Sequence, residues 1–376
     1  MGPLKGVKVV ELVGLGPGPF CGMLLADLGA TVIRVDRVEA AATAPPTPST
    51  NPMNRGKSSI TLDLKKREGV DALLRLVDQA DSFFEVFRPG VAERLGIGPD
   101  VCLARNPELV YGRLTGWGQD GPYAHSAGHD IDYLAIAGAL EPLGRAGQPP
   151  TPPINVLADF AGGGMLLAFG IVAALFGGRG QVVDAAMVDG AALMLAPFYS
   201  ARATGAWGPR GTNHLDSGAP FYDSYETADG GWIAVGAIEP QFYGELLRRT
   251  GLDADPTMVD QWDRAKWPDQ KQIFSATFKE RTRAEWCERL EYSDACAAPA
   301  LTPVEAPEHP HNLARRSFLT VNGVPQPAPA PRFSRTAPEP PTPPTQSGSD
   351  TDRGLAAWGF TAQEIAALKT AGATNP

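Results

Sequence analysis

The chain has 376 residues, of which 43% are hydrophobic and 20% charged, the balance of a soluble globular protein with two or three domains. Its net charge of -9 argues against nonspecific binding to nucleic acid or to acidic membranes. We expect no membrane span, because we find no run of 18 apolar residues, and a cytoplasmic location, because the N-terminus resembles neither a signal peptide nor a transit peptide.

The N-terminal segment has the order strand, glycine turn, helix, strand. Residues 7–12 (VKVVEL) form a short apolar run typical of a buried parallel strand, and GLGPGP follows as a turn. A helical stretch over residues 21–28 ends at Gly29, and residues 31–35 (TVIRV) predict a second strand that Asp36 closes. This pattern predicts a βαβ unit.

The alternation of strands and helices continues to about residue 200. Residues 39–52, rich in Ala, Pro and Thr, predict a surface loop. We predict strands over residues 58–62, 82–87, 109–114 and 181–186, and helices over residues 69–79, 160–176 and 187–203. The pattern favours an α/β domain with a mostly parallel sheet.

The distal part has a different character. Residues 225–235 predict a hairpin with an Asp-Gly-Gly turn, followed by amphipathic helices near residues 241–249 and 283–292. The proline-rich residues 325–347 predict an extended segment, and Thr361 with Glu364 forms a capping box that starts a last helix. We therefore predict a large domain in residues 1–200, a linker in 201–220, a smaller α+β domain in 221–312, and a linker with a C-terminal return to the large domain in 313–376.

Two patterns suggest binding of an anionic or nucleotide ligand. The GLGPGP turn with Asp36 resembles a dinucleotide fingerprint, but Pro19 stands where the third glycine is required, so a tight turn is the better interpretation. Six cations lie near predicted strand ends or the loop, where together they could bind a polyanion such as a phosphate group, although for any one of them an ordinary solvated charge is the better interpretation. They are Arg34, Arg37, Arg55, Lys57, Arg88 and Arg94.

Three ionisable residues are candidates for acid–base chemistry, each with a structural alternative. His129 precedes an apolar helical run whose first N–H groups can hold an oxyanion, although Asp130 is also a helix cap. Asp159 precedes the long apolar helix and is either its N-cap or a base in a pocket that Gly162–Gly164 open to a ligand. Glu239 at a strand end is either a surface carboxylate or the partner of a histidine. We expect no metal site, since the cysteines are scattered and the pair His309 and His311 lies on an irregular loop.

Many segments, in this order, resemble the family III CoA-transferases (the CaiB/BaiF group) and, within them, the α-methylacyl-CoA racemases. They include GPGPFCGMLLADLGATVIRVDR, NRGKSSITLDLK, FRPGVAERLGIGP, YGRLTGWGQDGPY, AGHDIDYLAIAGAL, PPINVLADFAGGGM, GTNHLDSGAPFYDSYETADG and VGAIEPQFY. The resemblance covers nearly the full length and implies a Rossmann-like large domain with a smaller α+β domain, in an interlocked homodimer whose active site is shared between subunits.

The resemblance also implies the site residues. His129 and Asp159 would be the two acid–base residues, Glu239 of the other subunit would pair with His129, and Asp130 would lie beside the reacting centre. Contacts to the CoA part of the substrate would come from Arg37, Leu62, Asp63, Leu64, Lys65, Val86, Phe87, Arg88, Arg94, Gly128, Ile131, Asp132 and Tyr133.

Two positions depart from the family pattern. Asp132 stands in GHDIDY where we expect Asn, and its extra carboxylate would affect anion binding or His129. Arg316 stands where we expect Gly before Ser317, which we interpret as a local surface change.

The expected activity is racemisation of 2-methylacyl-CoA thioesters through an enolate, with one base on each face and with no metal or redox cofactor. The nearest alternative is CoA transfer with Asp159 as the nucleophile. A CoA-binding protein without activity is a further alternative, against which the joint presence of His129, Asp159 and Glu239 argues. A nicotinamide oxidoreductase is the least favoured.

Overall fold

The computed structural model describes residues 2–43, 50–178 and 180–375, which form two compact units. Unit 1 comprises Met1–Ala137, Ile154–Met194 and Arg316–Pro376, and unit 2 comprises Gly138–Pro153 and Leu195–Arg315. The predicted boundaries placed residues 138–153 and 195–200 in the large domain, whereas they cluster with unit 2. The excursion over 138–153 is held there by two ion pairs, Arg145 with Asp223 and Glu141 with Arg210.

Unit 1 is built around a six-stranded parallel sheet with the order β3-β2-β1-β4-β5-β6. This is the strand order of the Rossmann fold, with the order reversing between β1 and β4. The central strands are short apolar runs buried on both faces, as parallel strands covered by helices require. The six strands are β1 (Lys8–Leu12), β2 (Thr31–Asp36), β3 (Lys57–Thr61), β4 (Ser82–Glu85), β5 (Val110–Thr115) and β6 (Gln181–Ala186).

In the first half of the chain, helices alternate with the strands of the parallel sheet, and in the second half helices outnumber strands. A π-helical segment, Val156–Met165, runs directly into α7. The helices are α1 (Pro17–Asp27), α2 (Val38–Ala42), α3 (Arg67–Val77), α4 (Val91–Arg94), α5 (Pro99–Arg105), α6 (Asp130–Ala137), α7 (Leu166–Gly177), α8 (Met187–Met194), α9 (Ala196–Ala203), α10 (Pro240–Thr250), α11 (Trp267–Phe278), α12 (Arg283–Leu290), α13 (Pro310–Arg315), α14 (Thr351–Ala357) and α15 (Ala362–Thr370).

Unit 2 contains a three-stranded antiparallel sheet, which includes the predicted hairpin. Aromatic side chains from the sheet and from α11 and α12 fill its core, with Tyr225 stacked on Phe278 and Phe278 packed on Trp286. Two further strands pair in a separate antiparallel ribbon within unit 1. These strands are β7 (Tyr222–Glu226), β8 (Trp232–Gly236), β9 (Ala297–Pro299), β10 (Phe318–Val321) and β11 (Val324–Pro327).

The C-terminal segment packs into the core of unit 1. The capping box of Thr361 and Glu364 is present and starts α15, as the sequence predicts. The apolar faces of α14 and α15 join the same buried cluster as the side chains of β1, β2 and β4. The C-terminal members of that cluster are Leu355, Trp358, Phe360, Ile365, Leu368 and Ala373.

Two predicted elements differ from the structure. The single helix expected over residues 187–203 is divided at Leu195, because Pro197 occupies the first turn of α9, where its missing N–H is tolerated, and would break a helix interior. The loop expected over residues 39–52 begins with α2, and residues 44–49 lie outside the described residues.

The continuous helix Val156–Gly177 is long and apolar enough to cross a membrane by length and composition alone, with a mean hydropathy of 2.0. The expectation that the sequence holds no such stretch was therefore wrong, since residues 160–177 (FAGGGMLLAFGIVAALFG) contain no polar or charged side chain. Of that window, 39% is buried inside the protein, where it packs against α1 and α8. A core helix of a soluble protein passes the same test.

Candidate active site

A cleft of about 590 Å³ opens where β1, β4 and β5 end. Residues directly after each of these strands line it: Val13 after β1, Val86 after β4 and Gly116 after β5. Ligands of open α/β sheets bind at the carboxyl ends of strands where the strand order reverses, which here is between β1 and β4. The fold therefore places the cleft at its expected ligand site.

The glycine turn after β1 allows two loops to pack together at the floor of the cleft. A Cβ added to Gly14 would lie 2.2 Å from Val86 Cγ2, and one added to Gly18 would lie 2.5 Å from Val86 Cγ1. Gly16 has a φ of 59°, and its position beside Asp159 leaves 3.8 Å between an added Cβ and Oδ2. The turn thus seats Val86 and approaches Asp159, which supports its interpretation as a tight turn.

Asp159 lies inside the π-helical segment and not at its N-cap, which is Asn155. Its Oδ2 accepts a hydrogen bond from Asn155 Nδ2 at 3.2 Å, and its side chain lines the cleft. Partial burial raises the pKa of the Asp159 carboxyl above its ordinary value; the Asn155 hydrogen bond and the charge of His129 lower it, and the charge of Asp130 raises it. A carboxyl group with a raised pKa is suited to take and return protons.

Asp130 is buried beneath the cleft, and its carboxylate supports Asp159 from below. Its Oδ2 accepts the backbone N–H groups of Ala158 and Asp159, both at 2.8 Å. The expectation that Asp130 lies beside the reacting centre stays a prediction: its side chain is buried and contacts the backbone of Asp159, whose own side chain lines the cleft. Asp130 acts on the helix that carries Asp159.

His129 lines the same cleft as Asp159 and directly precedes α6. Its backbone N–H donates to Asp132 Oδ2 at 3.0 Å, so the carboxylate of Asp132 caps this helix start. The N–H groups of Asp130 and Ile131 belong to the first turn of α6, where helix geometry provides no intrahelical acceptor. These donors and the imidazole therefore lie at one helix terminus.

Aromatic side chains form one wall of the cleft. Trp117 stacks on Tyr123 with ring centroids 4.7 Å apart and meets the edge of Tyr133 at 4.8 Å. The Tyr133 hydroxyl donates to the carbonyl of Gly128, the residue before His129. The wall therefore fixes the loop that carries the imidazole.

A second cavity of about 480 Å³ adjoins the cleft and shares Val13, Arg37 and Phe87 with it. Of the residues predicted to contact CoA, Val86, Arg88, Gly128 and Tyr133 line the first cavity only. Arg94, Ile131 and Asp132 line neither cavity. The predicted residues that line the second cavity are Arg37, Leu62, Asp63, Leu64, Lys65 and Phe87.

Three of the six cations that were predicted to bind an anion form buried ion pairs within the protein instead. Arg34 pairs with Asp36 at 2.7 Å, Arg55 with Asp27 at 2.6 Å, and Lys57 with Glu11 at 2.6 Å. Their side chains are at most 5% exposed, so they do not reach a ligand. Their assignment as phosphate ligands was wrong.

The glycines Gly162–Gly164 serve helix packing and do not admit a ligand. A Cβ on Gly162 would lie 2.9 Å from the backbone N of Ala191, and one on Gly164 would lie 2.5 Å from the carbonyl O of Pro17. Backbone of α8 and α1 therefore occupies the space that we assigned to a ligand.

Two other predicted candidates lie in unit 2. Glu239 is the residue before α10, and its pairing with His129 of a second chain stays a prediction. His309 Nε2 lies 2.7 Å from Glu291 Oε1. Among residues 2–43, 50–178 and 180–375, no group of three or more His, Cys, Asp or Glu side chains has an arrangement that could hold a metal ion.

Sequence reasoning missed Asn155, Trp117 and Glu85. Asn155 lies four residues before Asp159, one helical turn, and this spacing was the available signal. Trp117 follows a strand end in YGRLTGWG, as the predicted cations do. No local pattern marks Glu85, a carboxylate fully buried in an apolar strand.

The sequence profile described as CoA-transferase family III matches residues 4–351, and the chain belongs to this family. It is similar to the Alpha-methylacyl-CoA racemase of Mus musculus, with 48% identity over 97% of this chain and 96% of that protein. The Homo sapiens protein of the same name is 45% identical over 98% of this chain and 96% of its own length.

Solved structures agree with this family. A CaiB/BaiF family protein from Brucella suis superimposes with a TM-score of 0.80 and 26% identity, over 95% of this chain and 99% of that one. The Mycobacterium tuberculosis protein Rv3272, described as a probable fatty acyl-CoA transferase, superimposes with a TM-score of 0.77 and 30% identity, over 94% of this chain and 99% of that one.

Proposed function

We propose that this chain is an isomerase that interconverts the (R) and (S) forms of 2-methylacyl-CoA thioesters. The observation that carries the proposal is the joint placement of His129 and Asp159 in one cleft at the helix start of α6. The similarity to racemases over nearly the whole chain supports the same reaction. A cleft with two proton-transfer groups is what inversion at an acidic carbon requires.

The proposed reaction removes the α-proton, returns a proton to the same carbon, and breaks no other bond. One base takes the α-proton, the electron pair of the C–H bond passes into the enolate, and the other group donates a proton to the opposite face. The N–H groups at the start of α6 stabilise the enolate oxygen as charge develops on it. His129 and Asp159 exchange roles between the two directions, so the pair carries one proton in the active form.

The CoA part of the substrate spans the two adjoining cavities. Arg37 lines both cavities and is placed to pair with phosphate groups, while Lys65 lines the second. The second cavity takes the nucleotide end, because the first contains the acid–base groups that the thioester must reach. The reaction as proposed draws on side chains and backbone N–H groups of the protein alone.

We further propose an interlocked homodimer in which Glu239 of one subunit pairs with His129 of the other. Several large apolar side chains on unit 1 are unusually exposed for a monomer, among them Phe169 at 71% and Leu193 at 64%. A second subunit covers them, and the apolar helix Val156–Gly177 belongs to this interface and not to a bilayer.

Subunit mixing tests the shared site. His129→Ala and Glu239→Gln homodimers are each expected to be inactive, while a hybrid retains one site with both residues intact. Random reassembly would restore about a quarter of the wild-type activity. If mixed subunits exchange but stay inactive, Glu239 does not act across the interface.

Acyl transfer is the second candidate function, because Asp159 is a cleft carboxylate and the family includes a probable acyl-CoA transferase. In that reaction Asp159 attacks the thioester carbon and expels the CoA thiolate, forming an anhydride. The two functions are separated by incubating the protein with (S)-2-methylacyl-CoA, with and without a free carboxylic acid. Appearance of the (R) form without the acid supports racemisation, whereas new thioester formed only with the acid supports transfer.

A further inference from the structure

Glu85 is a fully buried carboxylate at the end of β4 that the proposed reaction does not use. Its Oε2 accepts the backbone N–H of Phe87 at 2.6 Å, and its Oε1 accepts Arg113 Nε at 3.1 Å. Both oxygens are therefore occupied, one by the following turn and one by the neighbouring strand β5.

The turn that Glu85 holds is shared by the two cavities. Val86 rests against Gly14 and Gly18, Phe87 lines both cavities, and Arg88 lines the cleft. A shift of the Phe87 backbone would thus move the wall between the second cavity, proposed to hold the nucleotide end of CoA, and the cleft that contains His129 and Asp159. His129 and Asp159 lie on other elements, α6 and its preceding loop and the π-helical segment.

The charges around Glu85 come from three elements. Arg113 on β5 is shared with Glu93 on α4, at 2.9 Å, and Asp184 on β6 also interacts with Arg113. Burial raises the pKa of Glu85 to about 7, against the lowering effects of the Phe87 N–H and Arg113. Glu93 adds to the increase, and Tyr111 on β5 is the remaining titratable neighbour. The acceptor for the Phe87 N–H is therefore charged or neutral according to pH near neutrality.

We propose that Glu85 is a positioning residue for the CoA end of the substrate, acting through the Phe87 N–H to fix the turn 86–88. The proposal rests on the proposed function, because it takes a CoA thioester as the ligand of the two cavities. It assigns the effect of Glu85 to binding and leaves proton transfer to His129 and Asp159.

Glu85→Gln tests the proposal against Glu93→Gln as a matched control. The glutamine has one acceptor oxygen for two donors, so it cannot hold the Phe87 N–H and Arg113 together. Loss of one charge-assisted hydrogen bond predicts a rise of about tenfold in KM and in the Kd of free CoA, with kcat changed less than about threefold. Glu93→Gln also removes a carboxylate from Arg113 but leaves the Phe87 N–H bonded, and its KM stays at the wild-type value.

The outcomes separate this proposal from the proposed function. If wild-type protein does not racemise the thioester, the proposed function fails, whatever the variants do. If wild type is active and Glu85→Gln lowers kcat with KM unchanged, or if Glu93→Gln raises KM equally, the positioning role of Glu85 is refuted.

If Glu85→Gln does not fold, a pH titration of ligand binding tests the same positioning role of Glu85. The dissociation constant of dephospho-CoA, which has no 3′-phosphate to titrate, is measured between pH 8.5 and pH 5.5 with the His129→Ala variant, so that the imidazole does not titrate in the cleft. Its affinity is expected to fall as pH decreases through about 7, since a protonated Glu85 has lost its charge and has one carbonyl oxygen for the two donors, Phe87 N–H and Arg113. An affinity that stays constant over this range overturns the proposal.

Discussion

Replacing Asp130 by Asn tests how Asp159, the proposed base, is held in place. The variant keeps the shape of the side chain but removes the charge that accepts two backbone N–H groups at 2.8 Å. A hydrogen bond to a charged group stabilises by about 1 kcal/mol more than one to a neutral group, so two such bonds predict a loss of about 2 kcal/mol of unfolding free energy. The side chain is only 4% exposed, so solvent does not screen this interaction.

The same variant changes the pH profile in a predictable direction. The charge of Asp130 raises the pKa of Asp159, so its removal lowers that pKa. In the proposed reaction the His129–Asp159 pair carries one proton, so protonation of Asp159 is expected to cause the loss of activity at low pH. The low-pH limb of kcat/KM therefore moves to lower pH in Asp130→Asn.

Urea denaturation and the pH dependence of kcat/KM measure the two effects. Asp132→Asn is the matched control, since it removes a nearby exposed carboxylate that caps His129 and not Asp159. It is expected to leave stability within about 0.5 kcal/mol and the low-pH limb in place. Unchanged stability together with an unmoved limb in Asp130→Asn would refute the supporting role.

Three further predictions concern packing and backbone. Lys57→Met leaves Glu11 buried without its cation and is expected to lower the free energy of unfolding, measured by chemical denaturation, by about 3–5 kcal/mol. Most of that loss is expected to be recovered in the double variant with Glu11→Leu. If the effects of the two substitutions simply add, the pairing of Lys57 with Glu11 is contradicted. Gly14→Ala places a Cβ 2.2 Å from Val86 Cγ2 and is expected to lower stability by about 1–3 kcal/mol, with recovery on adding Val86→Ala. Arg316 has a φ of 52°, so Arg316→Gly is expected to raise the free energy of unfolding by about 0.5–1 kcal/mol, and a lower melting temperature would contradict that reasoning.

The sheet was predictable from local sequence because its strands are short apolar runs between turns. The run VKVVEL gave β1, and the run TVIRV gave β2. Their helical connections favour parallel pairing, which the register between Val9 and Val32 confirms. Local patterns also gave the start of α15, since a capping box is contained within four residues.

The fate of the charged residues was not predictable, because it depends on partners distant in sequence. Lys57 meets Glu11 46 positions away, and Arg55 meets Asp27 28 positions away. The local sequence of a strand end that carries an arginine is the same whether the side chain is exposed to solvent or buried in an ion pair. Arg316 illustrates the same limit for the backbone: the side chain is exposed, as the expected surface change requires, but its left-handed conformation, which favours glycine, was not predicted.

The candidate site was predictable in its residue types and less so in their roles. His129 and Asp159 share a cleft, but the neighbouring Asp130 turns inward to cap the helix that carries Asp159. Asp130 points inward because the free N–H groups at the start of the π-helical segment lie beside it. The packing of one helix start beside another is set by the tertiary structure and cannot be inferred from local sequence. Glu85 lies in a predicted strand, but no local pattern assigned a role to it.

The most direct test of the two-base reaction is α-deuterium incorporation in D2O, followed separately from each enantiomer of a 2-methylacyl-CoA without a free acid. Wild-type protein is expected to exchange the α-proton and epimerise both enantiomers, whereas His129→Ala and Asp159→Asn each exchange one enantiomer only, opposite in the two variants, without epimerisation. Absence of exchange in the wild type, or loss of exchange from the same enantiomer in both variants, would contradict the assignment of one base to each face.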